Sequence, residues 1–145
     1  MFWYRVIIGN VFADQTDFSL IVMIDGRKFI KSFKYAFEGI HYAFKNDQNL
    51  LVHLVIAFLV INISVALRVS HYEMGILGLT MMMVIMAEMV NSAIEKMVDL
   101  ITKEHRQEAK IAKDVSAGMV LVTAIAAIII GVLIFFPYVT KLFTK

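Results

Sequence analysis

The chain has 145 residues, 60% of them hydrophobic, with a single proline, no cysteine and a formal net charge of +2. Its length suits one domain, and its apolar share exceeds the roughly 45–50% usual for soluble domains. The absence of cysteine rules out a disulfide framework and any Cys-ligated metal, and a charge this close to neutral gives no footing for nucleic acid.

The opening MFWYRVIIGN lacks a basic leading region, and no small-residue cleavage site follows it, so no cleavable signal peptide is evident. Residues 1–28 read as an irregular N-terminal extension, and 29–145 as the working domain. Within FIKSFKYAFEGIHYAF, Phe29, Ile30, Phe33, Phe37, Ile40 and Phe44 recur at steps of three and four. That spacing predicts a helix over 29–46 with one apolar face and lysines flanking it, lying on a membrane surface.

Three runs are candidates to cross a bilayer, whose core of about 30 Å needs about 20 helical residues. The first is 50–68, in which His53, Asn62 and Ser64 are polar and Arg68 closes the run. The second starts at Met74 and is apolar or small for only 14 residues, to Ala87. It can span only by continuing through Glu88 and Asn91, so the second span is drawn over 74–95. The third is 115–139, uncharged and closed by Pro137. The segment ITKEHRQEAKIAKD is rich in helix formers and is expected to prolong the second helix before the chain turns into the third.

Basic residues fix the expected orientation. Arg27, Lys28, Lys31, Lys34 and Lys45 precede the first span. Lys96, Lys103, Arg106, Lys110 and Lys113 lie between the second and third, and only Arg68 lies between the first and second. The N-terminus and the 96–114 segment are therefore expected in the cytoplasm and the C-terminus outside. The expected fold class is all-α, an integral membrane bundle of three transmembrane helices with an amphipathic surface helix.

The stretch AEMVNSAIEKMVDL carries the chemistry. On a helical wheel at 100° per residue, Glu88, Asn91, Ser92, Glu95 and Asp99 fall within an arc of about 100°. An ionisable group at membrane depth costs at least about 2.5 kcal/mol. Several on one face therefore imply a bundle interior, a partner charge or an ion. Asp99 can instead be a solvated interfacial residue paired with Lys96 or Lys103. Clustered carboxylates suit a hard divalent cation, and magnesium is typically held by one or two carboxylates together with substrate phosphates. Lys110 and Lys113 are near in sequence to meet phosphates.

The same stretch resembles the signature of the small prokaryotic lipid kinases, the diacylglycerol kinase and undecaprenol kinase family. Their pattern Glu-x-x-Asn-[Ser/Thr]-Ala-Ile-Glu-x-x-Val-Asp is matched by Glu88, Asn91, Ser92, Ala93, Ile94, Glu95, Val98 and Asp99. AKIAKDVSAG, FKYAFEGI and the Asn49…His53 pair in NLLVH are also similar to family segments, and the likeness runs from about Lys28 to Pro137. No P-loop or Gly-rich loop suggests a soluble kinase.

The resemblance implies a homotrimer with active sites shared between subunits. It also implies transfer of the ATP γ-phosphate to a lipid alcohol with Mg2+, in a bacterial cytoplasmic membrane crossed several times. By the same resemblance Glu88 is the general base at the acceptor hydroxyl, and Lys31 also serves the acceptor lipid. Glu95 and Asp47 are the magnesium ligands. Asp47 stands where the family has Glu, one methylene longer, and it could equally be the N-cap of the first span. Lys28, Tyr35, Asn91, His105, Arg106, Lys113 and Asp114 meet the nucleotide. Lys28 replaces a usual Arg and offers a single donor point. His105-Arg106 stands where the family has Tyr-His or His-His.

AKIAKDVSAG and the IFFP ending are closer in style to the Gram-positive members, which implies undecaprenol as acceptor. Diacylglycerol is the alternative lipid. A proton- or cation-conducting bundle using Glu88 is the alternative of a different class, and it leaves Lys110 and Lys113 unexplained. Residues 1–22 match nothing in the family, and Met23 stands where family members typically begin. The expected start is therefore Met23, or else 1–22 are dispensable. An interfacial anchor made of Phe2, Trp3 and Tyr4 is the competing view.

Overall fold

The computed structural model describes residues 26–144. Among these the structure is wholly helical, with four elements: α1 (Gly26–Asn46), α2 (Gln48–Ala66), α3 (His71–Ile101) and α4 (Gln107–Phe143). The expectations about Met23 and the leading segment fall on residues 1–25 and lie outside the described residues.

The chain divides after His41 into two units. The first is described from Gly26 to His41, all of it α1. Phe29 and Phe33 meet edge to face with ring centroids 5.0 Å apart, and Lys34 pairs with Glu38 one turn on at 3.8 Å. The helix opens at Gly26, so Gly26, Arg27 and Lys28 are helical and do not belong to an irregular extension. The run from Arg27 onward contains no helix breaker, and a glycine is tolerated at a helix N-terminus.

In the second unit a single extended residue, Asp47 (φ −111°, ψ 107°), ends α1 and starts α2. Helix α2 closes with a Schellman arrangement. The Val69 N–H donates to the Ser64 carbonyl at 3.0 Å and the Arg68 N–H to that of Val65 at 3.1 Å. Such a closure needs a left-handed residue, and Arg68 takes it at φ 54°. A non-glycine residue there costs about 1–2 kcal/mol, which the burial of the next residue, Val69, offsets. The turn delivers the chain at once to Ser70, which caps α3 in a capping box with Glu73.

Helix α3 has 31 residues, about 46 Å at 1.5 Å per residue. That is longer than the bilayer core, so the helix runs unbroken through Glu88, Asn91, Glu95 and Asp99. It packs against both α2 and α4. The buried core of Val69, Leu77 and Ile134, flanked by Val60, Met81 and Phe135, sits toward the α2–α3 turn.

Two expectations about helix ends need correction. The segment after α3 does not prolong it: α3 stops at Ile101, Thr102–Arg106 is irregular, and Gln107–Asp114 opens α4. Thr102 leaves the helical region at φ −148°, ψ 137°, and its side chain accepts from the Glu104 N–H at 3.1 Å, a local bond that competes with another helical turn. Nor does Pro137 close the last helix, which continues to Phe143. Proline removes one backbone bond, but the next residue, Tyr138, is anchored to Glu73 through its hydroxyl at 2.5 Å.

Helices α2, α3 and α4 are each long and apolar enough to cross a membrane. Their large side chains stay mostly exposed, Leu79 at 67% and Leu133 at 68% for example. Apolar surface on this scale needs lipid or partner subunits. The hydroxyls buried among it are satisfied within their own helices: Ser64 donates to the Val60 carbonyl and Thr80 to that of Ile76, both at 2.7 Å.

Candidate functional site

The polar face of α3 is graded. Glu88 and Asn91 are buried at 2% and 5% exposure. Ser92 and Glu95 are half-buried, and Asp99 is exposed. Because α3 is regular, residues at steps of three and four stack along one side. The helices packed beside it set the depth of each.

Glu88 is the most enclosed of these groups. Among the described residues, its Oε1 is the buried side-chain oxygen without a hydrogen-bond partner. The polar groups acting on the carboxyl are Asp47, Asn49, His53 and Glu95. They come from the start of α2 and from α3 itself, so two helices enclose it. A buried acceptor left unpaired costs about 1–3 kcal/mol, more if charged. An oxygen held in that state is suited to receive a donor from a ligand, such as a hydroxyl.

Asp47 reaches this cluster from the α1–α2 junction. Its Oδ1 accepts from the Asn49 and Leu50 N–H groups at 3.0 and 3.2 Å, capping α2. Its Oδ2 accepts from the Ser92 hydroxyl. The capping role weighed for Asp47 is therefore present in the structure. Glu95 Oε1 accepts from Asn91 Nδ2 at 3.2 Å, and Asn91 Oδ1 lies 2.7 Å from the hydroxyl of Ser116 on α4. One polar chain thus runs from α4 through α3.

A second group forms where α3 ends and α4 begins. Lys113 Nζ pairs with Asp99 Oδ1 at 2.5 Å, and Lys110 pairs with Asp114 one turn on. Asp99 therefore pairs across to α4 and not with Lys96 or Lys103, because Thr102–Arg106 turns the chain back and sets the two helices side by side. Arg106 is held by Glu104 at 2.9 Å. A cleft of about 890 Å³ lies among Asp99, His105, Arg106, Lys110, Lys113 and Asp114, within the range of small-molecule sites.

The sequence-predicted residues thus gather in two neighbouring places. Asp47, Glu88, Asn91 and Glu95 form the buried cluster, and His105, Arg106, Lys113 and Asp114 line the cleft. Lys113 joins them, since it acts electrostatically on both Asp99 and Glu95. Lys28, Lys31 and Tyr35 are exposed on the α1 stretch of the first unit. Ser116, buried at 3% exposure, was missed by sequence reasoning. Its signal was a lone hydroxyl one turn after Lys113, at the mouth of a long apolar run.

Among the described residues no three His, Asp or Glu side chains converge into a metal-binding group. The donors suit a cation carried by phosphates, since Glu95 and Asp47 each keep lone pairs beyond their hydrogen bonds.

Residues 34–135 match the family described as prokaryotic diacylglycerol kinase. A diacylglycerol kinase from Synechocystis sp. is 38% identical over 107 residues, 73% of this chain and 61% of the relative. An undecaprenol kinase from Bacillus subtilis is 39% identical over 110 residues, 76% of this chain and 89% of the relative. A diacylglycerol kinase from Escherichia coli K12 is 31% identical over 102 residues, 70% of this chain and 84% of the relative. The chain thus spans about three fifths of the Synechocystis protein and most of the other two.

Proposed function

The chain belongs to the prokaryotic diacylglycerol kinase family, bacterial membrane enzymes that phosphorylate lipids with ATP, and from that premise we propose that it transfers the ATP γ-phosphate to a lipid hydroxyl, with undecaprenol as preferred acceptor. One observation carries this reading. Glu88 Oε1 is buried and unpartnered, on the same helix face as the Asn91–Glu95 pair and on the helix that meets Lys113.

Glu88 takes the proton from the acceptor hydroxyl as that oxygen attacks the γ-phosphorus. The bond from that phosphorus to the bridging oxygen breaks, and ADP leaves. Proton acceptance by a positioned carboxylate contributes about 10²–10⁴-fold. Lys113 faces the phosphates and neutralises the charge that moves toward the leaving group. Phosphoryl transfer needs little else beyond positioning and electrostatics. Glu95 and Asp47 would hold Mg2+, which when bound supplies further neutralisation of the phosphates. Asn91 orients Glu95 and the phosphate oxygens. Asp114, His105 and Arg106 meet the nucleotide from the cleft. Lys28 and Tyr35 are proposed to contact nucleotide, and Lys31 the lipid, on the resemblance alone.

Undecaprenol is favoured by the likeness of AKIAKDVSAG and the IFFP ending to the Gram-positive members; the relatives named for the two lipids, at 39% and 38% identity, do not separate them. The name of the matched family keeps diacylglycerol as the second reading. The protein works as a homotrimer in the cytoplasmic membrane, with the N-terminus and the cleft in the cytoplasm. The exposed apolar faces and the basic residues of the 96–114 segment support that arrangement. The apolar positions of α1 seat it on the membrane surface.

The test is purified protein in mixed micelles with Mg2+ and ATP, offered undecaprenol and diacylglycerol separately. ADP release with undecaprenol above diacylglycerol supports the full reading. The reverse order shifts the acceptor to diacylglycerol, and no Mg2+-dependent turnover on any lipid alcohol removes the kinase assignment.

A further inference from the structure

Ser116 is the hydroxyl residue of AKIAKDVSAG. Its Oγ lies 2.7 Å from Asn91 Oδ1 and 2.9 Å from the Lys113 carbonyl. Both Ser116 and Asn91 are buried, at 3% and 5% exposure, so water does not compete for the bond between them. On its other side Asn91 donates from Nδ2 to Glu95 Oε1 at 3.2 Å.

The chemistry of the three groups fixes the direction of the chain. An ionised carboxylate only accepts hydrogen bonds. Glu95 therefore requires the NH₂ end of the Asn91 amide to face it. That turns the amide carbonyl toward α4, where a donor must meet it, and Ser116 supplies the hydroxyl. Alanine at 116 would strand a buried carbonyl oxygen. The amide would then relieve itself by rotating, which would bring its oxygen against the Glu95 carboxylate.

We propose that Ser116 is a positioning residue of the phosphoryl-transfer site: acting through Asn91, it holds the Glu95 carboxylate in the orientation that receives the metal–nucleotide. The Lys113 carbonyl, one turn earlier on α4, is the alternative acceptor for that single proton, so the bond to Asn91 seats the amide against the same turn of α4 that carries Lys113. One hydroxyl thus sets the relation between an anionic and a cationic arm of the site. This rests on the assignment of Glu95 as a metal ligand, and the experiment separates the two.

The full chain in detergent micelles is compared as wild type, Ser116→Ala, Ser116→Thr, Asn91→Ala and the Asn91→Ala/Ser116→Ala double variant. Mn2+ serves as the spectroscopic probe, and its affinity is read by electron paramagnetic resonance in the presence of a non-hydrolysable ATP analogue. The Mg2+ concentration for half-maximal turnover, the lipid KM and the melting temperature are read beside it. Ser116→Ala is expected to weaken Mn2+ binding by about three- to tenfold, near the lower end for groups behind a metal ligand. The Mg2+ requirement should rise in step while the lipid KM stays put. Ser116→Thr, which keeps the hydroxyl, should restore most of the affinity. On the Asn91→Ala background, Ser116→Ala should add nothing. A Ser116→Ala protein that melts lower but binds Mn2+ normally overturns the proposal, as does a full additional loss on the Asn91→Ala background. Wild type that binds no Mn2+ also overturns it. Wild type that binds Mn2+ with the nucleotide but phosphorylates no lipid removes the kinase reading alone, and the binding series still decides the role of Ser116.

Discussion

Lys113 Nζ and Asp99 Oδ1 meet at 2.5 Å across the connection between α3 and α4, so the cation proposed to face phosphates is already held by a carboxylate. Both side chains keep access to solvent, at 37% and 58% exposure, and an exposed pair contributes little to stability. Its consequence is geometric. The pair fixes Lys113 at the edge of the cleft and gives it a partner that phosphate can replace. Lys113→Met should lower kcat/KM for ATP by about 10²-fold, in the range for loss of one transition-state donor, with the melting temperature unchanged. Asp99→Asn should act more mildly, changing KM for ATP and leaving the lipid KM alone. Steady-state kinetics varying ATP and lipid separately checks both. An unchanged kcat/KM in Lys113→Met would remove the phosphate role.

Glu88 poses the opposite balance of stability and function. Its Oε1 is buried without a partner, a costly arrangement that a fold would discard unless the site needs it. Glu88→Gln keeps the shape and removes the base. Turnover should fall by about two to four orders of magnitude, while the melting temperature holds or rises. A large loss of stability with activity retained would show that the carboxylate serves the fold and that the base lies elsewhere.

Much of this was legible in the sequence because membrane helices advertise themselves. The runs at 50–68 and 115–139 lie within or close to α2 and α4, since hydrocarbon forces an uninterrupted apolar segment. The polar face of α3 was equally visible, because helix period alone aligns Glu88, Asn91, Ser92, Glu95 and Asp99. What sequence could not give was the pairing between helices. Asp99 has Lys96 and Lys103 within a turn, yet it bonds Lys113, because the break at Thr102–Arg106 folds α4 back alongside α3. Ser116 escaped notice for the same reason, since a hydroxyl has no meaning until the amide it meets is known. Pro137 misled in another way: a local rule for helix ends yielded to an anchor, Tyr138, whose partner lies 65 positions away.

Asp47 carries two roles that substitutions can separate. Asparagine caps a helix about as well as aspartate, whereas alanine costs about 1 kcal/mol. Asp47→Asn should therefore keep the melting temperature and raise the Mg2+ concentration needed for half-maximal turnover. Asp47→Ala should do both harms at once. Asp47→Glu, which keeps the carboxylate, should keep activity. Should Asp47→Asn leave the Mg2+ requirement untouched, while Asp47→Ala only lowers the melting temperature, Asp47 is a cap and nothing more.

The end of the bundle away from the cleft depends on Tyr138. Its hydroxyl donates to Glu73 Oε2 at 2.5 Å and accepts from the Ser70 N–H at 3.1 Å. Glu73 Oε2 also accepts from the Ser70 hydroxyl at 2.5 Å, so one carboxylate gathers the cap of α3 and the end of α4. Lys141 Nζ stands 5.8 Å from the Tyr138 ring centroid and adds a cation–π contact. This clasp lies beyond Pro137, where α4 has lost a backbone bond and needs an external hold. Tyr138→Phe keeps the ring and its packing but removes the hydroxyl. It should lower the melting temperature by a few degrees and speed amide exchange over 138–143, with KM for ATP unchanged, because the clasp and the cleft lie at opposite ends of α3 and α4. Glu73→Gln should weaken the same clasp through the carboxylate, and the two changes together should cost less than their sum, as for partners in one network. Unchanged exchange over 138–143 in Tyr138→Phe would mean that the hydroxyl does not hold the last turns of α4.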